Sequence, residues 1–141
     1  MLTDFGMSFF ASGSCSVQAK RSSLGAMQWR APEFVCQTAA DPSFDSDVYS
    51  LGMCIIQAVQ YAKYPWGNNL SSDEIRTLLC EGKPVVIDQP AEMTAPQWEL
   101  VQRMIAFDRG SRPDLNEEIL PALEQFANTE ADAEAYDECP Y

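Results

Sequence analysis

The fold of this chain is indicated most clearly by two short motifs, Asp4-Phe5-Gly6 and, further along, Trp29-Arg30-Ala31-Pro32-Glu33. One three-residue match is weak evidence, because uniform residue odds would place a given triplet in roughly 2% of chains of this length. The segment between the motifs is rich in serine and glycine and lacks helical or strand periodicity, which predicts a long irregular loop. Pro32 can open a short helix after this loop, because its missing N–H would be unpaired there anyway.

Length and composition indicate one globular domain. The chain has 141 residues, of which 46% are hydrophobic and 21% charged, as expected for a globular protein with a moderate core. It contains no histidine, which excludes a histidine base, a histidine-containing catalytic triad and a histidine-ligated zinc site. The formal net charge of −12 argues against a nucleic-acid partner, because phosphate binding needs clustered Lys and Arg.

Membrane and disulfide chemistry are also disfavoured. No apolar run is long enough to span a bilayer, and Met1 is not followed by a secretory signal pattern, so we expect no membrane partner and a cytoplasmic location, either alone or as the cytoplasmic part of a longer protein. The cysteines are odd in number and scattered without CxxC spacing, which favours reduced thiols. They are Cys15, Cys36, Cys54, Cys80 and Cys139.

The remainder of the chain is predicted to be helical. A loop over 38–46 precedes a strongly apolar central helix that starts at Asp47 and ends before Tyr64. Its apolar stripe consists of Val48, Leu51, Ile55, Ile56 and Val59.

Three further helices are predicted after the central one. Ser71 and Glu74 form a capping-box pattern for a helix that Gly82 and Pro84 end. A second helix is predicted over about 96–107. The last one is capped by Asp114 with Glu117 and kinked at Pro121. The segment Val85-Val86-Ile87 is too short to indicate a strand, and residues 128–141 are acidic and predicted to be disordered.

Taken together, these features resemble the C-terminal, helical lobe of eukaryotic-type protein kinases, closest to the tyrosine-kinase-like serine/threonine kinases. The resemblance implies a mainly α fold in which residues 1–127 are a partial kinase domain. The activation segment would be 4–33 and the helical lobe 34–127. The β-rich N-terminal lobe and the catalytic loop are absent from this chain.

The resemblance implies roles for the first motif. Asp4 would be the magnesium ligand, Phe5 a packing switch, and Gly6 the flexible residue of the turn. Such kinases hold Mg²⁺ with carboxylates in order to orient and neutralise the phosphates of ATP. Mg²⁺ and ATP are therefore the cofactors expected of the complete enzyme, and neither is expected to bind tightly to this chain alone.

It also implies anchoring contacts at the second motif. Ala31, Pro32 and Glu33 would close the activation segment, and Glu33 would form a buried ion pair with Arg112. Each charge would need the other, because an unpaired buried charge is costly. Asp47 would anchor the central helix to the catalytic loop; the alternative is that it only caps its helix.

The loop between the motifs departs from the family pattern at one position. Serine/threonine kinases usually carry Thr where this chain has Ala26, although Gly25 and Trp29 favour the tyrosine-kinase-like group. Specificity for Ser/Thr or Tyr therefore stays open. Ser22 and Ser23, after a basic pair, are candidate phosphorylation sites.

Two functions remain open. The chain could be part of a signalling enzyme that phosphorylates protein substrates, and it would be inactive alone because the catalytic base and the nucleotide-binding lysine are missing. The alternative is a non-catalytic, pseudokinase-like module that binds a protein partner such as a related kinase. In either case, residues such as Phe5, Phe9, Phe10 and Leu51 are predicted to be exposed in apolar patches.

Overall fold

The computed structural model describes residues 27–36 and 43–137. These ranges contain five α-helices, which are α1 (Pro32–Cys36), α2 (Phe44–Val59), α3 (Ser72–Cys80), α4 (Ala95–Met104) and α5 (Leu120–Asp137). Two 3₁₀ turns, Met27–Trp29 and Arg109–Ser111, and a π-helical turn, Leu115–Ile119, complete the described elements. No strand occurs within these ranges, so the predicted mainly α fold is confirmed.

Helix α2 begins earlier than the sequence pattern indicated. Ser43 caps it, because its hydroxyl accepts a hydrogen bond from the Ser46 N–H at 3.3 Å while the Ser46 hydroxyl accepts one from the Ser43 N–H at 3.0 Å. This reciprocal cap satisfies donors that a helix start leaves unpaired. The prediction of a loop up to residue 46 is therefore wrong for residues 44–46, while residues 38–42 lie outside the described ranges. Asp47 is not the N-cap.

The core forms on one face of α2. Tyr49, Met53 and Ile56 are at most 1% exposed and pack against Trp98 and Val101 of α4. The predicted stripe was partly wrong, because Leu51 is 40% exposed. Helix α2 is apolar on more than one side, so the spacing of its apolar residues did not decide which side faces α4.

Gly52 allows α2 and α4 to approach closely. A Cβ atom at this position would lie 2.7 Å from the Ile105 Cγ2 and 3.1 Å from the Met104 Cβ. Such distances are shorter than normal packing contacts. The glycine therefore sets the spacing of the two core helices.

Helix α3 has the ends that the sequence predicts. The Glu74 carboxylate accepts hydrogen bonds from the Ser71 N–H at 2.8 Å and the Ser71 hydroxyl at 2.7 Å. At the other end Gly82 has φ +76°, and the Gly82 and Lys83 N–H groups donate to the Leu79 and Leu78 carbonyls. This is the Schellman arrangement that glycine favours after a helix.

The C-terminal helices differ from the prediction in their boundaries. Helix α4 ends at Met104 rather than near residue 107. The Asp114 carboxylate caps the π turn by accepting from the Asn116 and Glu117 N–H groups. Its reciprocal partner is Glu118 rather than Glu117.

The irregularity predicted at Pro121 lies just before it. The N–H of Ile119 donates to the Asp114 carbonyl at 3.0 Å, a bond across five residues that defines the π turn. Proline lacks an N–H and crowds the carbonyl four residues earlier.

Helix α5 continues beyond the predicted boundary at residue 127. It runs to Asp137, so residues 128–137 are helical rather than disordered. Alanine and glutamate, which are frequent here, have high intrinsic helix propensity. Residues 138–141 lie outside the described ranges.

Candidate functional site

The candidate site is the short stretch Met27–Cys36, here called the anchor segment, which contains the Ala31-Pro32-Glu33 motif. It enters the core at two points. Ala31 is 1% exposed and packs with Tyr49 and Met53, and Met27 is 7% exposed and packs with the apolar face of α3. Burial of these apolar side chains fixes the anchor segment against α2 and α3.

Polar contacts fix the 3₁₀ turn at the start of the anchor segment. The Trp29 indole N–H donates to the Gln57 Oε1 at 3.1 Å, and the Trp66 N–H donates to the Gln28 Oε1 at 3.2 Å. The ring of Trp29 also meets Tyr64 edge-on, with centroids 5.9 Å apart. The turn is thus attached both to α2 and to the loop after it.

The central feature of the site is the ion pair between Glu33 and Arg112. The two Nη atoms of Arg112 donate to the two carboxylate oxygens of Glu33 at 2.7 and 2.8 Å. The Arg112 side chain is 0% exposed and that of Glu33 is 15% exposed. A two-pronged pair of this kind is stronger and more directional than a single hydrogen bond.

Two further donors of Arg112 are also used. Its Nε donates to the Ala106 carbonyl at 3.0 Å, and Nη1 also donates to the Asp45 carbonyl at 2.8 Å. Its guanidinium lies over the ring of Tyr49, 5.0 Å from the centroid. Arg112 therefore joins the anchor segment, the start of α2 and the turn after α4 at one buried point.

The electrostatics of Tyr49 follow from this position. Burial raises the pKa of its hydroxyl strongly, the nearby Arg112 charge opposes that shift, and the Glu33 charge adds to it. Tyr49 is therefore neutral at physiological pH. Its ring makes a cation–π contact with the Arg112 guanidinium, and its hydroxyl does not act as an acid or base.

A second ion pair flanks the first but is exposed. The Arg109 Nε donates to the Asp45 Oδ2 at 2.5 Å, and the two side chains are 54% and 45% exposed. Exposed pairs contribute little to stability. The buried pair is therefore the one that restrains the anchor segment.

Asp47 lies in the first part of α2 and is exposed. Partial desolvation raises the pKa of its carboxyl group. Within residues 27–36 and 43–137, its side chain accepts no hydrogen bond. Its role as a helix anchor stays a prediction.

Several predicted site residues cannot be placed. Those that lie outside the described residues are Asp4, Phe5, Gly6, Ser22, Ser23 and Gly25. The structure thus places Trp29, Ala31 and Pro32 in the anchor segment and joins Glu33 of the same motif to Arg112, and it does not describe the first motif.

Neither a metal-binding cluster nor a membrane-spanning helix is found over the same ranges. The described residues contain no group of three or more Cys, Asp or Glu side chains that could hold a metal ion. Among the described helices, none has both the length and the apolar content required to cross a bilayer.

Sequence reasoning missed two kinds of residue here. Tyr49 packs with Ala31 and Gln57 accepts a hydrogen bond from Trp29, but neither belongs to a motif. Their position on α2 was the one signal that could have indicated them. Cys36 and Cys80 are neighbours in space, which their separation of 44 residues concealed.

Comparison with known proteins places the chain among protein kinases in sequence. Residues 1–122 match the family described as protein tyrosine and serine/threonine kinase. The chain is 28% identical over 115 residues to serine/threonine-protein kinase 10 of Danio rerio, covering 79% of the chain and 11% of that protein.

Two further relatives match the chain over a similar number of residues. A serine/threonine-protein kinase/receptor of Acanthamoeba polyphaga mimivirus is 27% identical over 113 residues, which is 79% of the chain and 7% of that protein. Fibroblast growth factor receptor homolog 1 of Drosophila melanogaster is 23% identical over 131 residues, 93% of the chain and 17% of that protein. The chain therefore spans a small part of the length of each relative.

Proposed function

Because the chain belongs to the protein tyrosine and serine/threonine kinase family, we propose that it forms the helical part of a kinase domain whose complete form transfers the γ-phosphate of ATP to protein hydroxyl groups. The buried contact of Glu33 with Arg112 supports this most directly. It joins the end of the proposed activation segment to the last helices of the lobe. Serine/threonine substrates are the proposed class, with tyrosine as the alternative.

ATP and Mg²⁺ would be cofactors of the complete enzyme, and Asp4 is the proposed magnesium ligand. A single carboxylate does not make a nucleotide site, and no described cluster of acidic or cysteine side chains adds to it. The described lysines Lys63 and Lys83 are both exposed. The residues of this chain therefore do not fit a complete ATP–Mg²⁺ site, and we propose that the 141-residue chain alone does not transfer phosphate.

Regulation and location follow from the same proposal. Ser22 and Ser23 are proposed phosphorylation sites, since phosphate in this segment could pair with arginine side chains. The proposed location is the cytoplasm, where ATP and protein substrates are available. The proposed partners are protein substrates.

A non-catalytic interaction module is the second candidate. Ala26 favours it, because a Thr hydroxyl usually stands at that position in serine/threonine kinases. Loss of this hydroxyl would remove a hydrogen bond that orients the catalytic groups. Such a module would use its helical surface to bind a protein partner, for example a related kinase.

The test is phosphate transfer by the longest open reading frame that contains residues 1–141. That product and the 141-residue chain would be incubated with γ-labelled ATP, Mg²⁺ and a mixed Ser/Thr/Tyr peptide library, with Asp4→Asn as the control. We expect incorporation by the longer product, none after Asp4→Asn, and none by the 141-residue chain. No incorporation by the longer product would favour the interaction module, and turnover by the short chain would contradict its proposed inactivity.

A further inference from the structure

Two thiols from distant parts of the sequence meet beside the anchor segment. Cys36 is the last residue of α1 and Cys80 the last residue of α3. Their Sγ atoms lie 2.8 Å apart, with the Cys80 S–H donating to the Cys36 sulfur. Sulfurs in a disulfide are separated by about 2.05 Å, so a small adjustment of the two side chains would allow a bond.

Both thiols can be reached from solvent. Cys36 and Cys80 are exposed, and they line an open groove of about 510 Å³ together with Pro32, Leu79 and Phe107. The third described cysteine, Cys54, is also exposed but is not paired with another described cysteine. Exposure therefore does not distinguish the pair from Cys54, whereas proximity does.

We propose that Cys36 and Cys80 are a redox-active dithiol, which hydrogen peroxide oxidises to a disulfide that fastens α1 to α3. This proposal is independent of the proposed phosphate transfer. It concerns the stability of the anchor segment, which Glu33 and Cys36 would then hold at two neighbouring points.

The reaction requires only the two thiols and the peroxide. The Cys80 thiolate attacks one peroxide oxygen, the O–O bond breaks, hydroxide leaves, and Cys80 becomes a sulfenic acid. The Cys36 sulfur then attacks the Cys80 sulfur, the S–O bond breaks, and the leaving hydroxide takes up the Cys36 proton as water. The hydroxide from the first step takes up the proton that Cys80 released. In total the peroxide gains two electrons, each sulfur loses one, and two water molecules form.

The surroundings of Cys36 agree with this order. Partial desolvation, the neighbouring Cys80 thiol and the Glu33 carboxylate raise the pKa of the Cys36 thiol to about 12. The thiolate is the reactive form of cysteine. Cys36 is therefore suited to the second, resolving step, which follows only after Cys80 has reacted.

The proposal can be tested with a variant that keeps only these two thiols. The substitutions Cys15→Ser, Cys54→Ser and Cys139→Ser remove the other three cysteines. The folded variant would be treated with hydrogen peroxide, blocked with N-ethylmaleimide and weighed intact. We expect the loss of two hydrogens, no maleimide adduct, and a melting temperature about 5–10 °C higher that dithiothreitol reverses.

A matched variant that adds Cys36→Ser supplies the control. In it we expect Cys80 to stop at the sulfenic acid, which dimedone would trap, with no rise in melting temperature. The proposal would be overturned if both cysteines of the first variant were oxidised separately without a bond. Bond formation as fast in concentrated urea as in the folded chain would also overturn it, because the native geometry would then play no part.

Discussion

Glu33 and Arg112 are joined by two parallel hydrogen bonds of 2.7 and 2.8 Å, although 79 residues separate them in the sequence. Arg112 is inaccessible to solvent at its side chain and also donates to the Ala106 and Asp45 carbonyls. One guanidinium thus connects three segments that have no covalent link nearby. The stability of the anchor segment depends on it.

Replacing Arg112 with Ala should destabilise the chain by about 3–5 kcal/mol, because the Glu33 carboxylate and two backbone carbonyls lose their partner. The measurement is urea unfolding followed by circular dichroism. Arg109→Ala is the matched control, since its exposed pair with Asp45 should contribute little to stability. Equal losses for the two variants would contradict the assignment.

Gly52→Ala should also destabilise the chain, by about 1–3 kcal/mol. The added methyl group would meet the Ile105 Cγ2 at 2.7 Å and the Met104 Cβ at 3.1 Å, which would force α2 and α4 apart. Thermal unfolding measures the change. Gly110→Ala is the control, because a Cβ there would meet only the Asp108 carboxylate at 3.5 Å; a larger loss at Gly110 than at Gly52 would refute the packing argument.

Ser71→Ala should weaken α3 and shift the titration of Glu74. Loss of the cap costs about 1 kcal/mol, and the pKa of Glu74, which hydrogen bonds from Ser71 hold below its usual 4.5, should rise. The carboxyl ¹³C shift of Glu74 against pH would show this. Ser72→Ala, at the next and exposed position, should leave that pKa unchanged.

The sign of the associated pH dependence follows from the same shift. A carboxyl group with a lower pKa in the folded state stabilises the fold at pH values above its unfolded pKa. That contribution of Glu74 is present above its ordinary pKa of 4.5 and is lost as the pH falls through its lower folded pKa. Stability that did not depend on Ser71 in this range would argue against the capping contact.

The isolated chain should self-associate at micromolar concentrations. Phe44 is 85% exposed, Val86 89% and Leu51 40%, and exposed apolar side chains promote association. Sedimentation velocity should therefore show oligomers that Phe44→Gln with Val86→Gln reduces. A monomeric chain with a sharp, cooperative melt would contradict this expectation.

Local chemistry could be predicted from the sequence where a few neighbouring residues decide it. The Ser71–Glu74 cap, the stop at Gly82 and the Asp114 cap all depend on hydrogen bonds within one helical turn. The start of α2 was missed because its cap has Ser46 at the position where a capping box usually has Glu or Gln. The extension of α5 was missed because an acidic composition was given more weight than helix propensity.

Tertiary contacts could not be predicted from neighbouring residues in the sequence. The apolar residues of α2 are compatible with more than one buried face, and only the approach of α4 at Gly52 selects the face with Met53 rather than Leu51. The Glu33–Arg112 contact was expected from family resemblance and not from periodicity. The contact of Cys36 with Cys80 had no signal at all, because it depends on how α1 and α3 pack.

A double-mutant cycle with Glu33→Gln and Arg112→Met tests most directly whether the two residues restrain the anchor segment together. The free energy of unfolding would be measured for the original chain, both single variants and the double variant. We predict that the double variant loses about 2–3 kcal/mol less than the sum of the single losses, as expected for residues in direct contact. Single losses that add to within about 0.5 kcal/mol would show that the residues act independently, which would contradict the account.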